Sequence, residues 1–267
     1  MEKKKLGIVG CGFLGNIIAR ACADGLLEDY ELVGVVSRSP GSAEKTAAMA
    51  GCRACRDIDE LLALKPDYVA EAARIHVLKE IAVKVLSSGA SLVVLSIGAF
   101  ADAAFLDEVR RTAREHGTQV HIASGAIGGF DVLQTVTLMA QAAGLSEQAG
   151  IWTHKGPASL QGTPVFSQEL MDAPQESDVF EGAAAEAIAL FPTKVNVAVA
   201  TALATTGPQT TDVRITSVPG FVGDDHKITA DIGGVKAVVD VYSETSAIAG
   251  WSVVALLRNL TAPISFQ

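Results

Sequence analysis

Three things are scarce in this 267-residue chain, and each scarcity removes a class of function. Basic charge is the first. Twenty-one Lys and Arg against 30 Asp and Glu leave a net charge of −9, which argues against nucleic acid or an anionic membrane surface as a partner. An anionic substrate stays compatible, because a local basic pocket can sit on an acidic surface. Long apolar runs are the second, since no stretch approaches the ~20 apolar residues of a membrane span. The apolar run after Lys3-Lys4-Lys5 is broken by three glycines, so it reads as a first strand and not as a signal peptide, and a cytoplasmic location is expected. Cysteine is the third, with four residues. Cys52 and Cys55 form one Cys-x-x-Cys, but no second Cys/His pair at ligand spacing accompanies it and no flanking aromatic or proline of redox type is present. The pair is read as coincidence and no metal is expected.

What is abundant is core-forming material. With 49% hydrophobic and 19% charged residues the chain is globular, and its length suits a nucleotide-binding domain with a smaller second domain. The organising stretch is Leu6-Gly7-Ile8-Val9-Gly10-Cys11-Gly12-Phe13-Leu14-Gly15. An apolar run ends in Gly-x-Gly-x-x-Gly and continues into Phe13, Leu14, Ile17, Ile18 and Ala21, which are spaced as on one face of a helix. That pattern predicts strand, tight turn, helix. In such a unit Gly10 permits the turn, Gly12 lets the backbone approach a pyrophosphate, and Gly15 lets the helix pack on the strand, while the helix N-terminus offers unpaired N–H groups. The motif alone is weak; the flanking strand and helix supply its context. Gly10, Gly12, Phe13, Leu14 and Gly15 are therefore candidates for binding a dinucleotide.

A second apolar strand, Tyr30 to Val36, ends in Ser37-Arg38-Ser39. A carboxylate at this point would bind the ribose 2′-hydroxyl and repel a 2′-phosphate. None is present. Ser37 and Ser39 can donate hydrogen bonds to a phosphate, and Arg38 can pair with it or stack on adenine, so NADP or dual use of NADP and NAD is expected.

The β-α alternation continues to about residue 127. Ser91 to Ser96 is a continuous apolar run suited to a buried parallel strand, and Asp102 can cap a helix that Gly117 ends. Ser124 to Gly129 is a second glycine cluster behind a strand, the place where open α/β sheets bind ligands. Beyond it the pattern changes. A helix carries Val132, Leu133, Val136 and Met139, Thr211 to Ser217 alternates with Val213 and Ile215 inward, and a hairpin turns at Gly233-Gly234. The fold class read from this is α/β: a Rossmann-type doubly wound parallel sheet over 1–127, and a second, smaller α+β domain of mixed or antiparallel sheet over 128–243. Residues 244–267 form an amphipathic helix expected to return to the first domain. His226 lies in phase with Ile228, Ala230 and Ile232, at the start of a strand on its apolar face, where a lone histidine is more often structural than catalytic.

Several linked segments carry a family resemblance over nearly the whole chain: Val94-Leu95-Ser96-Ile97-Gly98-Ala99-Phe100-Ala101-Asp102, Ser124 to Asp131, Phe180-Glu181-Gly182-Ala183 with Glu186-Ala187, and Phe191 to Ala198. In this order they resemble the L-aspartate dehydrogenase family. The resemblance implies a Rossmann domain, a catalytic and dimerisation domain, a homodimer, and NAD(P)-dependent conversion of L-aspartate to iminoaspartate, released as oxaloacetate and ammonia. It makes His226 the match to the family's catalytic histidine, and Ala126 and Asn196 the matches to its cofactor contacts. The chain departs from the family pattern at Asp224-Asp225 before His226, Lys155-Gly156-Pro157, Lys194 and Glu71-Ala72-Ala73.

Hydride transfer from the aspartate α-carbon, followed by water addition to the imine, needs a base with a near-neutral pKa, which suits histidine. Asp224 or Asp225 is expected to orient it. Lys155, Lys194 and the Gly125 amide, with the other amides to Gly129, are candidates for the substrate carboxylates. Two rival readings stay open: an oxidoreductase of the homoserine-dehydrogenase or dihydrodipicolinate-reductase type acting on another substrate, and a non-enzymatic dinucleotide sensor.

Overall fold

A computed structural model describes residues 2–191 and 195–266. In chain order the elements are β1 (Lys4–Val9), α1 (Phe13–Ala23), β2 (Tyr30–Val36), α2 (Pro40–Ala50), β3 (Arg53–Cys55), α3 (Ile58–Leu62), β4 (Tyr68–Glu71), α4 (Ile75–Ser87), β5 (Ser91–Val94), α5 (Ala103–His116) and β6 (Val120–Ile122). There follow α6 (Phe130–Ala143), β7 (Gln148–Lys155), α7 (Gln168–Asp172), β8 (Ser177–Ala183), α8 (Ala184–Leu190), α9 (Asn196–Ala204), β9 (Thr211–Ser217), β10 (Asp224–Asp231), β11 (Lys236–Ser243) and α10 (Ala247–Thr261). They form two compact units, residues 1–125 with 247–267, and residues 126–246.

The first unit is a six-stranded sheet in the order β3-β2-β1-β4-β5-β6, with every pairing parallel. Its central strands are apolar on both faces, as a sheet covered by helices requires: Leu6, Ile8, Val69, Ala70, Leu92 and Val93 are fully buried. Successive strands run outward from β1 to one edge through β2 and β3, and to the other through β4, β5 and β6. The order therefore reverses between β1 and β4. Asp102 accepts from the Phe105 amide at 3.3 Å to begin α5, and Gly117, at φ 64°, ends it. Helix α10 packs on α1: Ile18 and Ala21 of α1 share a buried cluster with Val253, Val254 and Leu257, and the Tyr30 hydroxyl donates to the Leu257 carbonyl at 2.8 Å.

The second unit is a mixed five-stranded sheet in the order β11-β10-β7-β9-β8, parallel only between β7 and β9. Period-two alternation sends Ala149 and Ile151 of β7, Val213 of β9, and Ile228 and Ala230 of β10 to one buried face, which α6 and α9 cover. The β10–β11 hairpin closes through Gly233-Gly234, with the Ile232 amide donating to the Val235 carbonyl at 3.1 Å. On the opposite face Thr216, which alternation alone places outward, is 2% exposed. The cause is Trp152: its indole N–H donates to Thr216 Oγ1 at 2.7 Å, the Arg214 guanidinium lies 4.7 Å over its ring, and Asp178 takes both Arg214 and Thr216. Among the described residues no helix is long and apolar enough to cross a membrane.

Candidate active site

The two units carry different parts of the candidate chemistry. In the first unit the loop between β1 and α1 lies at the carboxyl edge of the sheet, beside the reversal of strand order. Gly10 has φ +107°, and a Cβ there would come within 2.5 Å of the Ala72 carbonyl oxygen, so this turn requires glycine on both conformational and steric grounds. A Cβ on Gly15 would overlap the Gly10 carbonyl oxygen, so the first turn of α1 sits directly on the loop. At Gly12 the situation is reversed, since a Cβ would meet nothing within 4 Å. Open space in front of an uncapped helix N-terminus, with no acidic residue in its first turn, fits a dinucleotide pyrophosphate approaching the backbone. Phe13 is 60% exposed beside this space and Leu14 is half-buried.

Asn16 was not among the sequence candidates, yet it holds the loop. Its Nδ2 donates to the Cys11 carbonyl at 3.2 Å and the Gly12 carbonyl at 2.9 Å, and its Oδ1 accepts from Thr46 Oγ1 on α2 at 2.8 Å. The glycine loop is thus tied to the helix that follows Ser37-Arg38-Ser39. Ser37 is half-buried, whereas Arg38 and Ser39 are exposed, and Ser39 starts α2 with Pro40 behind it. Cys52 and Cys55 flank this region as free thiols, and burial pushes the Cys52 thiol up to about 11, far from the low values of a redox cysteine. Gly125, at the end of the first unit, donates its amide to Ser252 Oγ at 3.0 Å and is engaged there.

In the second unit His226 lies on the buried face of β10, 3% exposed, directly opposite Thr153 of β7. Burial pushes its imidazole down to about 4; the Asp224 carboxylate opposes this and the Lys155 ammonium reinforces it. The imidazole is neutral at pH 7, and its value lies below the near-neutral one expected of the base because the ring is buried. Its Nδ1 lies 2.9 Å from Thr153 Oγ1. This corrects the expectation of a carboxylate partner. Asp225 points to the other face, where it stands 3.5 Å from His154 Nδ1, and Asp224 pairs with Lys155 at 3.1 Å. Lys155, with 19% of its side chain exposed, is therefore held near His226 by Asp224. Asn196 is the first residue of α9, and Ala126 begins the second unit half-buried. Lys194 lies outside the described residues.

Comparison with known proteins assigns these two halves to a family. Residues 136–260 match the family described as "Aspartate dehydrogenase, C-terminal", and residues 10–123 match "Homoserine dehydrogenase, NAD binding domain". The L-aspartate dehydrogenase of Methanocaldococcus jannaschii is 31% identical over 97% of this chain and 98% of its own, and that of Methanosarcina mazei is 32% identical over the same shares. The chain belongs to the L-aspartate dehydrogenase family. Its fold matches that of aspartate dehydrogenase from Thermotoga maritima, with a TM-score of 0.76 over 100% of both chains at 24% identity. As a family member it is an oxidoreductase that takes a nicotinamide dinucleotide. Two side chains that sequence reasoning passed over, Thr153 and Asn16, were legible in principle: Thr153 shares period two with Ala149 and Ile151, and Asn16 lies one residue past Gly15, on the first turn of α1.

Proposed function

We propose that this chain catalyses the NAD(P)-dependent oxidative deamination of L-aspartate, and its reverse, using His226 as the general base. The observation that carries the reading is a buried, neutral imidazole held between Thr153 and the Lys155–Asp224 pair. A nicotinamide dinucleotide held by the glycine loop would supply the hydride acceptor for the substrate α-carbon. With Thr153 Oγ1 accepting from Nδ1–H, the lone pair at Nε2 takes a proton from the water that adds to the imine and returns it to the nitrogen of the resulting carbinolamine, which then breaks its C–N bond to release ammonia and oxaloacetate. Lys155 and Lys194 supply positive charge to the substrate carboxylates. Gly10, Gly12, Phe13, Leu14 and Gly15 hold the pyrophosphate segment, with Ala126 and Asn196 as further cofactor contacts. Ser37-Arg38-Ser39, free of a carboxylate, supports use of both NADP and NAD. The reading includes residues 1–127 as the cofactor domain, 128–243 as a catalytic and dimerisation domain, and a homodimer. A cytoplasmic location accords with four free thiols. Absorbance of the reduced cofactor, followed with a panel of amino acids, tests the activity. Turnover with L-aspartate and none with homoserine is expected; cofactor binding without turnover on any substrate would make the chain a sensor.

A further inference from the structure

Glu71 ends β4 and is fully buried, although no cation pairs with it among the described residues. Its Oε1 accepts from the Ala73 amide at 2.8 Å and from Ser96 Oγ at 2.8 Å, and its Oε2 accepts from the Ser96 amide at 3.0 Å. Ala73 lies in the loop after β4 and Ser96 in the loop after β5, so one carboxylate ties together the carboxyl-edge loops of β4, the neighbour of β1, and of β5 beyond it. The tie reaches the phosphate loop itself. Glu71 is registered opposite Val9, the residue before Gly10, and the Ala72–Ala73 peptide it holds is the one packed against Gly10, 2.5 Å (Ala72 O) and 3.0 Å (Ala73 N) from where a Cβ would stand. Two backbone N–H groups, which can only donate, face different oxygens of the carboxylate. A neutral amide at this position would leave one of them facing its own N–H. Burial raises the Glu71 carboxyl above its ordinary value, and these hydrogen bonds, which favour the charged form, offset part of that rise.

We infer that Glu71 is a positioning residue of the cofactor site, and that its buried charge biases this site toward the oxidised nicotinamide over the reduced one. The inference rests on the dinucleotide reading of the first unit. Ligands of an open α/β sheet lie across the carboxyl ends of the strands where their order reverses, and Glu71 lies under that edge. The oxidised and reduced cofactors share the same phosphates and riboses and differ by one positive charge on the ring. Repulsion between Glu71 and the phosphates therefore cancels in the ratio of the two affinities, while attraction to the ring does not. Between unit charges across a protein interior of effective dielectric ~20, an attraction of this kind is worth several-fold to about tenfold in the ratio.

The test uses the full chain and titrates NAD(P)+ and NAD(P)H separately, with the melting temperature read on the same preparation. Glu71→Gln is expected to lower the preference for the oxidised form by about three- to tenfold. Ser96→Ala, which keeps the charge, is expected to weaken both forms equally. Should Glu71→Gln not fold, Glu71→Ser removes the same charge and leaves room for a water that, together with the new hydroxyl, accepts from the three donors, and the same ratio decides. Equal losses for both forms, or a lower melting temperature with both affinities intact, would reduce Glu71 to a structural residue and overturn the inference. Wild-type protein that binds neither form would instead overturn the dinucleotide reading beneath it.

Discussion

In the first unit the groups poised for a ligand are main-chain atoms and missing side chains: the Gly10 turn, the open space at Gly12, and the first amides of α1. In the second they are side chains delivered by different strands, with Thr153 and His226 separated by 73 residues of sequence and brought to 2.9 Å. The contrast shows why one half can be recognised from a ten-residue stretch and the other cannot. A backbone site is encoded locally, in where glycine stands. A side-chain site is encoded in strand register, which depends on the whole sheet.

The sharpest way to break the comparison is to put a side chain into the first site. A Cβ at Gly12 meets no protein atom within 4 Å, so Gly12→Val is expected to fold with a near-wild-type melting temperature and to lose cofactor binding altogether. Retained affinity in a titration would move the phosphate site elsewhere. Next in size is His226→Ala, for which kcat should fall by ~10²–10⁴ while cofactor affinity holds. The same residue has a signature in stability. Its folded pKa, about 4, lies below the ordinary value of 6.5, so between those values the unfolded chain binds the proton more readily. The buried neutral form therefore contributes stability above pH 6.5, and that contribution is lost as pH falls toward 4. Urea titrations across this window should show the loss in wild-type protein and a flatter profile in His226→Ala.

Thr153→Val sharpens the comparison further. It keeps the shape of β7 and removes one hydrogen bond of about 1 kcal/mol, so kcat should fall by about fivefold with little change in the KM for cofactor. An unchanged kcat would leave the imidazole oriented by something other than Thr153. Arg38→Ala is the smallest effect. The side chain is exposed, so a loss of a few-fold in NADP affinity, greater than that in NAD affinity, is expected. Equal losses for both cofactors would remove Arg38 from the 2′-phosphate site.

Legibility followed the same division. The strand-turn-helix at Gly10 to Gly15, the Asp102 cap, the Gly117 stop and the Gly233-Gly234 turn were all readable, because each is a local conformational demand met by one residue type. A second sheet, antiparallel or mixed, was readable too, and the parallel β7–β9 pairing makes it mixed. Strand β7 was missed: its inward residues are Ala149, Ile151 and Thr153, a weak apolar signal interrupted by Gly150 and Trp152 on the other face. Missing β7 hid the partner of His226, since period two places the histidine on the right face but says nothing about which strand lies beside it. Asp224 and Asp225 looked like partners because they are neighbours in sequence. In a strand, consecutive side chains point to opposite faces, and the one on the histidine's face is paired with Lys155.

The pairing of α10 with α1 bears on how the chain is made. The last helix closes over Ile18 and Ala21, and Gly250 packs so tightly on Ile17 that a Cβ there would stand 3.0 Å from it. A ribosome delivers α1 and all six strands of the parallel sheet, then the whole of the other unit, before it releases residues 247–261. For all of that interval, roughly 10–50 s at ~5–20 residues per second, the apolar flank of α1 has no native cover. The nascent protein thus carries an exposed hydrophobic surface that only its final helix can close. Chaperone dependence and aggregation of stalled or shortened chains are to be expected from that order of synthesis.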